Sequence, residues 1–163
     1  MGQYFEFVKN DTITVEGHIL HRIRCTRDCK WAKKGEFGGY IEKFENLFGN
    51  AWVSDNAWVS GNAQVYGDAQ VYGDAQVYGD ARVYGNARID CIKAHCGFDV
   101  FGSYGRHTHA YITAENKIEI TCGCFRGSIE EFEAKVRKTH GDNQYANEYL
   151  AIIYLIKIKF GLV

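Results

Sequence analysis

The sequence contains no proline, so slow prolyl isomerisation is not expected during folding. It also has no excess of either charge, since 19 Lys and Arg residues balance 20 Asp and Glu residues. Proteins that track the phosphates of nucleic acids usually carry a basic excess. Nucleic acid is therefore not an expected partner.

Long hydrophobic runs are missing as well. The longest, residues 149–156, is too short to cross a bilayer, and no membrane association is expected. The first residues do not show the basic and then apolar order of a signal peptide. These features predict a soluble protein of the cytoplasm.

The six cysteines do not have the spacing of a zinc ribbon or of a secreted disulfide framework. They form C-x3-C, C-x4-C and C-x-C pairs. Reduced structural cysteines are the expectation, and no metal or cofactor is predicted. The alternative is a metal site that combines a histidine with the four later cysteines, Cys91, Cys96, Cys122 and Cys124.

Residues 49–90 repeat one hexapeptide seven times. The hexads read GNAWVS, DNAWVS, GNAQVY, GDAQVY, GDAQVY, GDARVY and GNARID. A fixed six-residue period with one aliphatic and one small residue is typical of a parallel β-helix. We predict a mainly β protein with a short left-handed β-helix of about three coils over residues 41–94.

Each hexad has two positions that suit a narrow interior. Val or Ile occupies one, from Val53 to Ile89, and Ala occupies the other, from Ala51 to Ala87. Gly, Asp or Asn precedes each Ala, where the chain must turn. The remaining positions are expected to point outward, and Trp52, Trp58 and the tyrosines fall among them. Residues 18 apart should then stack on one side.

The flanking segments are predicted to cap the open ends of the repeats. Residues 12–15 and 18–25 alternate in polarity and predict a β-hairpin in an N-terminal cap over 1–40. Residues 95–163 predict a C-terminal α+β domain. Its expected strands are 98–101, 108–113 and 117–122, and its expected helices run from 129 to about 138 and from about 144 towards 160.

The chain resembles a family of phage and prophage hexapeptide-repeat proteins. The resemblance rests on residues 11–47 with their GGYIE motif, on the hexads, and on the C-terminal stretch CGCFRGSIEEFEAKVRKTHGDNQYANEYL. It implies an accessory protein that acts in the cytoplasm of a bacterial host. It implies no particular chemistry.

Candidate binding residues concentrate after the repeats. Arginine can hold a phosphate with two hydrogen bonds, and tyrosine can stack on a base. The predicted ligand-binding residues are Arg106, His107, His109, Tyr111, Arg126 and His140. No catalytic residue is assigned, although two histidines with an arginine also fit a phosphoesterase.

The function predicted from these features is sequestration of a host small molecule, such as a nucleotide immune signal, without turnover. Such an activity would be an anti-defence function. The alternatives are a scaffold or inhibitor that binds a host protein, and a nucleotide phosphodiesterase or acyltransferase-like enzyme. The outward aromatic residues and the apolar 144–160 helix predict a homo-oligomer, either a trimer or a dimer.

Overall fold

Two compact units make up the chain, and the boundary lies between Ala94 and His95. The computed structural model describes residues 4–163. The first unit holds the N-terminal hairpin and the hexads, and the second holds four strands and two helices. The sequence-based division into three segments, with a further boundary after residue 40, stays a prediction.

The hexads fold into two-residue parallel strands that pair at an interval of 18 residues. Trp52 pairs with Gln70, and Gln70 pairs in turn with Arg88. The same interval links Tyr40 to Trp58 and Trp58 to Gln76, and it links Gln64 to Arg82, so the strands form three separate ladders. The strands are β3 (Phe37–Ile41), β4 (Trp52–Val53), β5 (Trp58–Val59), β6 (Gln64–Val65), β7 (Gln70–Val71), β8 (Gln76–Val77), β9 (Arg82–Val83) and β10 (Arg88–Ile89). The predicted 18-residue stacking is confirmed.

The interior consists of the two positions that the pattern predicted. Every Val or Ile and every Ala of the hexads is buried. Glycine is favoured at the hexad corners, where Gly61 and Gly67 have φ values of +66° and +68° and Asp55 has a φ of +57°. A Cβ on Gly61 would lie 3.2 Å from the backbone of Gly79, which stacks above it. Close packing of consecutive corners therefore disfavours side chains there, although Asp55 is accommodated with its carboxylate accepting from the Gly73 N–H.

The outward positions are only partly exposed. Tyr66 stacks on Tyr84 with ring centroids 5.0 Å apart, as the 18-residue interval predicts. Trp52 and Trp58 hold the predicted outward positions but are only 2% and 9% exposed, so other side chains cover them. Tyr4 packs beside Trp52 and its hydroxyl donates to the Ala51 carbonyl. The N-terminal segment of the first unit thus covers part of the aromatic surface.

An N-terminal hairpin extends one of the three ladders. Strand β1 (Phe5–Val15) pairs antiparallel with β2 (His18–Cys25), and β2 pairs antiparallel with β3. The resulting sheet has the order β1-β2-β3-β5-β8. The hairpin predicted from the sequence is confirmed. The hairpin pairs with the edge of β3, which would otherwise expose unpaired backbone groups.

Asn46 closes the first turn of a second ladder. A short 3-10 helix, Phe44–Asn46, replaces a hexad strand there, and Asn46 is fully buried. Its side-chain amide donates to the carbonyls of Gly61 at 3.2 Å and Ala63 at 2.7 Å. In the regular rungs a backbone N–H fills this role, as when Trp52 donates to the carbonyl of Ala69. The asparagine amide therefore acts in place of a missing backbone donor.

The second unit is an antiparallel sheet packed against two helices. Its strands are β11 (His95–Phe101), β12 (Arg106–Ile112), β13 (Ile118–Cys122) and β14 (Phe125–Gly127), paired in that order. Its helices are α1 (Ile129–His140) and α2 (Gln144–Lys159). The sequence pattern predicts only a glycine-rich connection for the CGCFRG segment, but strand β14 forms there and pairs with β13. The other predicted elements are confirmed to within a few residues.

Capping side chains fix both helix starts. Ser128 accepts from the backbone N–H of Glu131, and the Glu131 carboxylate accepts from the N–H of Ser128. Asn143 accepts from the N–H of Ala146 at the start of α2. Among the described residues, no helix is long and apolar enough to span a bilayer.

Candidate functional site

Side chains alternate between the two faces of β12. Ala110 faces the helices and belongs to the core that they form with the sheet. His107, His109 and Tyr111 point to the opposite face. On that face a row of polar side chains crosses the four strands. We call it the histidine row: His95, Asp99, His107, His109, Tyr111, Glu119 and Arg126.

His107 is held by two neighbours. Its Nδ1 lies 2.5 Å from a carboxylate oxygen of Asp99. Its ring lies over Gly97, where a Cβ would come within 2.7 Å of the imidazole. Among residues 4–163, its buried Nε2 has no hydrogen-bond partner. The imidazole is therefore fixed in orientation by Asp99 and by the absence of a side chain on Gly97.

His109 forms a histidine pair with a residue that sequence reasoning missed. Its Nε2 lies 2.9 Å from Nδ1 of His95, and both side chains are buried. One ring must donate and the other accept, so this contact requires at least one N–H between the two nitrogens. His95 begins β11, and alternation along that strand from residue 95 would have placed it on the same face as His109.

Tyr111 and Arg126 meet at one carboxylate. The Tyr111 hydroxyl donates to Glu119, and Nε of Arg126 donates to the same oxygen at 2.7 Å. This hydrogen bond raises the pKa of Arg126. The guanidinium is thereby committed to Glu119, and its charge is largely compensated within the sheet.

Arg106 and His140 belong to a different cluster, because residue 106 lies on the other face of β12 from residue 107. The guanidinium carbon of Arg106 lies 4.7 Å from the ring centroid of Tyr104. His140 stacks on Tyr149 with centroids 5.7 Å apart. We call Tyr104, Arg106, His140 and Tyr149 the Arg106 cluster.

Arg106 acts electrostatically on this cluster. Burial raises the pKa of Tyr149 to about 12, and the charge of Arg106 opposes that rise. The Arg106 side chain also lies over Gly123, where a Cβ would come within 2.8 Å of Nη1. Within residues 4–163, no carboxylate forms an ion pair with Arg106. It is therefore a cation available to an anionic ligand.

The cysteines of the second unit differ in their burial and contacts. Cys122 is buried, with its sulfur 3.3 Å from the Thr108 hydroxyl, whereas Cys124 is exposed. Burial raises the pKa of Cys96 to about 11. In the part of the chain that the structure describes, no group of three or more His, Cys, Asp or Glu residues is arranged to hold a metal ion.

Comparison with known proteins gives a match within the repeats. A family model described as the YdcK beta solenoid repeat matches residues 59–79 and 75–89. No curated protein matches the chain. Together with the parallel ladders, the family match defines the class: the chain is a repeat-based β-solenoid protein, mainly β in structure.

Proposed function

We propose that the protein binds a small anionic ligand, a nucleotide in particular, and sequesters it without turnover. The proposal includes a left-handed solenoid of about three coils and a role as a phage accessory protein in the cytoplasm of a bacterial host. The resemblance to phage hexapeptide-repeat proteins supports that setting. A nucleotide defence signal of the host is the ligand class that fits this setting.

The observation that carries the proposal is the state of Arg106. It has no carboxylate partner among residues 4–163, and it lies beside Tyr104, which is 78% exposed. A guanidinium can hold a phosphate with two hydrogen bonds, and an exposed phenol ring can stack on a base. His140 supplies a further group on the same side of the sheet, through its contact with Tyr149.

Binding is favoured over hydrolysis because the candidate base and the available cation do not converge. His107 and Asp99, the pair best suited to move a proton, belong to the histidine row. Arg106 points to the other face of the same strand. Phosphoester hydrolysis needs its base within hydrogen-bond reach of the phosphate that the cation holds.

Loss of Arg106 should weaken nucleotide binding most. We expect Arg106→Ala to lower affinity by about 1.5–3 kcal/mol, or roughly 10- to 150-fold, the typical value of a charged hydrogen bond. Arg126→Ala is the matched control, because its guanidinium is already bound to Glu119. Calorimetry against a panel of linear and cyclic nucleotides measures both.

Two results would contradict the proposal. In the first, no nucleotide binds the parent protein. In the second, Arg106→Ala binds a confirmed ligand as tightly as the parent. Chromatography of the recovered ligand separates sequestration from turnover, since a cleaved product supports the phosphodiesterase alternative.

A homo-oligomer is also proposed, with α2 of a second copy as the partner of α2. Tyr154, Leu155 and Ile158 lie on one stripe of this helix and are about half exposed. Ala151 continues the stripe and leaves room for a close helix contact. Lys159 lies at one end of the helix and an acidic residue, Glu148, lies near the other, whereas Lys157 is paired with Glu133 of α1. An antiparallel pair would therefore be complementary in charge.

Charge on this stripe should dissociate the oligomer. We expect the parent to have a mass of at least twice 18.5 kDa by light scattering at micromolar concentration. Tyr154→Lys combined with Ile158→Lys should give a folded monomer, because burying two lysines in the contact is unfavourable. Ala134→Lys, on the exposed side of α1, should leave the mass unchanged. A strictly monomeric parent would exclude this contact.

A further inference from the structure

A cavity of about 400 Å³ lies within the first unit, between the turn of the N-terminal hairpin and one side of the repeats. We call it the hairpin cavity. Its lining residues are Val15, Glu16, His18, Trp58, Ser60, Gly61, Asn62, Tyr78, Gly79 and Asp80. This volume falls in the range of sites for small molecules.

A carboxylate fixes one wall of the hairpin cavity. Glu42 accepts from Nδ1 of His18 at 2.9 Å and from the backbone N–H of Gly61 at 2.5 Å. The bond with His18 is the main cause that lowers the pKa of Glu42. The hairpin turn is thereby tied to the repeats, and the polar side chain of His18 is already engaged.

The exposed ring of Tyr78 and the largely buried ring of Trp58 form the apolar part of the cavity. The rings of Trp58 and Tyr78 lie 5.9 Å apart at an angle of 31°. Tyr78 is 52% exposed, so its ring is accessible to a ligand. Gly79 follows it in the chain and ends its column of stacked corners, since a Cβ built there meets no atom within 4 Å.

The charge of the cavity is negative. Among residues 4–163, the lining carboxylates of Glu16 and Asp80 have no ion pair. Asp80 only accepts a hydrogen bond from Asn62, at 3.1 Å. Within the part of the chain that the structure describes, no Lys or Arg lines the cavity. A nearby cation, Lys43, donates a hydrogen bond to the amide oxygen of Asn62 at 3.2 Å.

We propose that the hairpin cavity binds an organic cation, an ammonium group carried on a small apolar body. A cation is attracted to the faces of Trp and Tyr rings, and this attraction is strongest where water is partly excluded. Asp80 and Glu16 add opposite charge at the rim. An anion would meet two carboxylates here, and a neutral ligand would gain only the ring contacts.

This site is independent of the nucleotide proposal. All of its lining residues belong to the first unit, whereas the Arg106 cluster belongs to the second. Failure of nucleotide binding would leave the cavity proposal untouched, and the reverse also holds.

The test compares two probes of equal shape and different charge. Choline carries a quaternary ammonium, and 3,3-dimethyl-1-butanol carries a carbon in its place. The full chain is titrated with each probe, and binding is monitored by NMR or calorimetry. Choline should bind at least about tenfold more tightly than the alcohol, the order expected for a cation on aromatic rings. Equal affinities of the protein for the two probes would overturn the proposal. A failure of choline to bind when it is present in 50-fold excess over the alcohol would also overturn it.

Variants locate the binding. Tyr78→Leu should weaken choline about fivefold or more, and Asp80→Asn should weaken it about threefold while its amide oxygen still accepts from Asn62. Tyr72→Leu is the matched control, because Tyr72 holds the same hexad position on another ladder. Circular dichroism checks that all three variants fold. Choline binding that is unchanged by Tyr78→Leu, or a neutral sugar that binds more tightly than choline, contradicts the assignment.

Discussion

Val71→Asp should abolish cooperative folding of the first unit. Val71 is fully buried and lies in the middle of a ladder, paired with Val53 on one side and Ile89 on the other. An unpaired carboxylate in this interior would cost several kcal/mol even if it were protonated. The net stability of a domain is only about 5–15 kcal/mol, so one such residue removes most of it. Thermal melting followed by circular dichroism measures the loss.

Two variants control for this effect. Gln70→Asp changes the adjacent residue, which is only half-buried, and should shift stability by about 0.5 kcal/mol or less. Val71→Ala removes buried methyl groups without adding charge and should cost about 1–3 kcal/mol. A soluble Val71→Asp protein with the parent's melting temperature would show that residue 71 does not lie in the interior.

Asn46→Leu should lower the free energy of unfolding by about 2–5 kcal/mol. The change removes the donor to the buried carbonyl of Ala63, the donor to the part-buried carbonyl of Gly61, and the acceptor of the Lys43 N–H. Each buried backbone group that loses its partner costs about 1–3 kcal/mol. Urea denaturation at fixed pH measures the midpoint and slope.

Asn50→Ala is the control for Asn46. Asn50 also donates its amide to a residue of the next rung, Asp68, at 3.0 Å, but the contact is exposed. Water replaces a lost bond at such a site, so we expect a change of about 0.5 kcal/mol or less. Equal effects of the two variants would mean that Asn46 does not replace a missing backbone donor.

The repeats were predictable because each residue's environment recurs. Val71 and Ala69 could be placed inside from the hexad pattern alone, and the 18-residue pairing followed from three hexads per ladder step. The burial of Trp52 could not be predicted, because the residue that covers it, Tyr4, lies 48 residues earlier in the chain. Asn46 also escaped the pattern, since it lies in a 3-10 helix where the hexads have not yet begun.

The candidate site was predictable only in its residue types. Alternation along β12 put His107 and His109 on one face, and it should also have separated Arg106 from them. Arg126 was grouped with the free cations because β14 was not expected to be a strand. Its pairing with β13 is what brings Glu119 to that guanidinium. The hairpin cavity was not predicted at all, because its walls come from three separate segments.

The constant 18-residue spacing has a consequence for the folding pathway. Loop-closure entropy depends on the length of chain between two contacting residues. Every rung of the ladders closes a loop of the same length, so adding one rung to a formed stack costs the same entropy wherever it occurs. Formation of the first rung is then the barrier, and the later rungs follow by zippering. The hairpin and Asn46 add contacts to the N-terminal rungs alone, so we expect them to favour nucleation at that end of the stack.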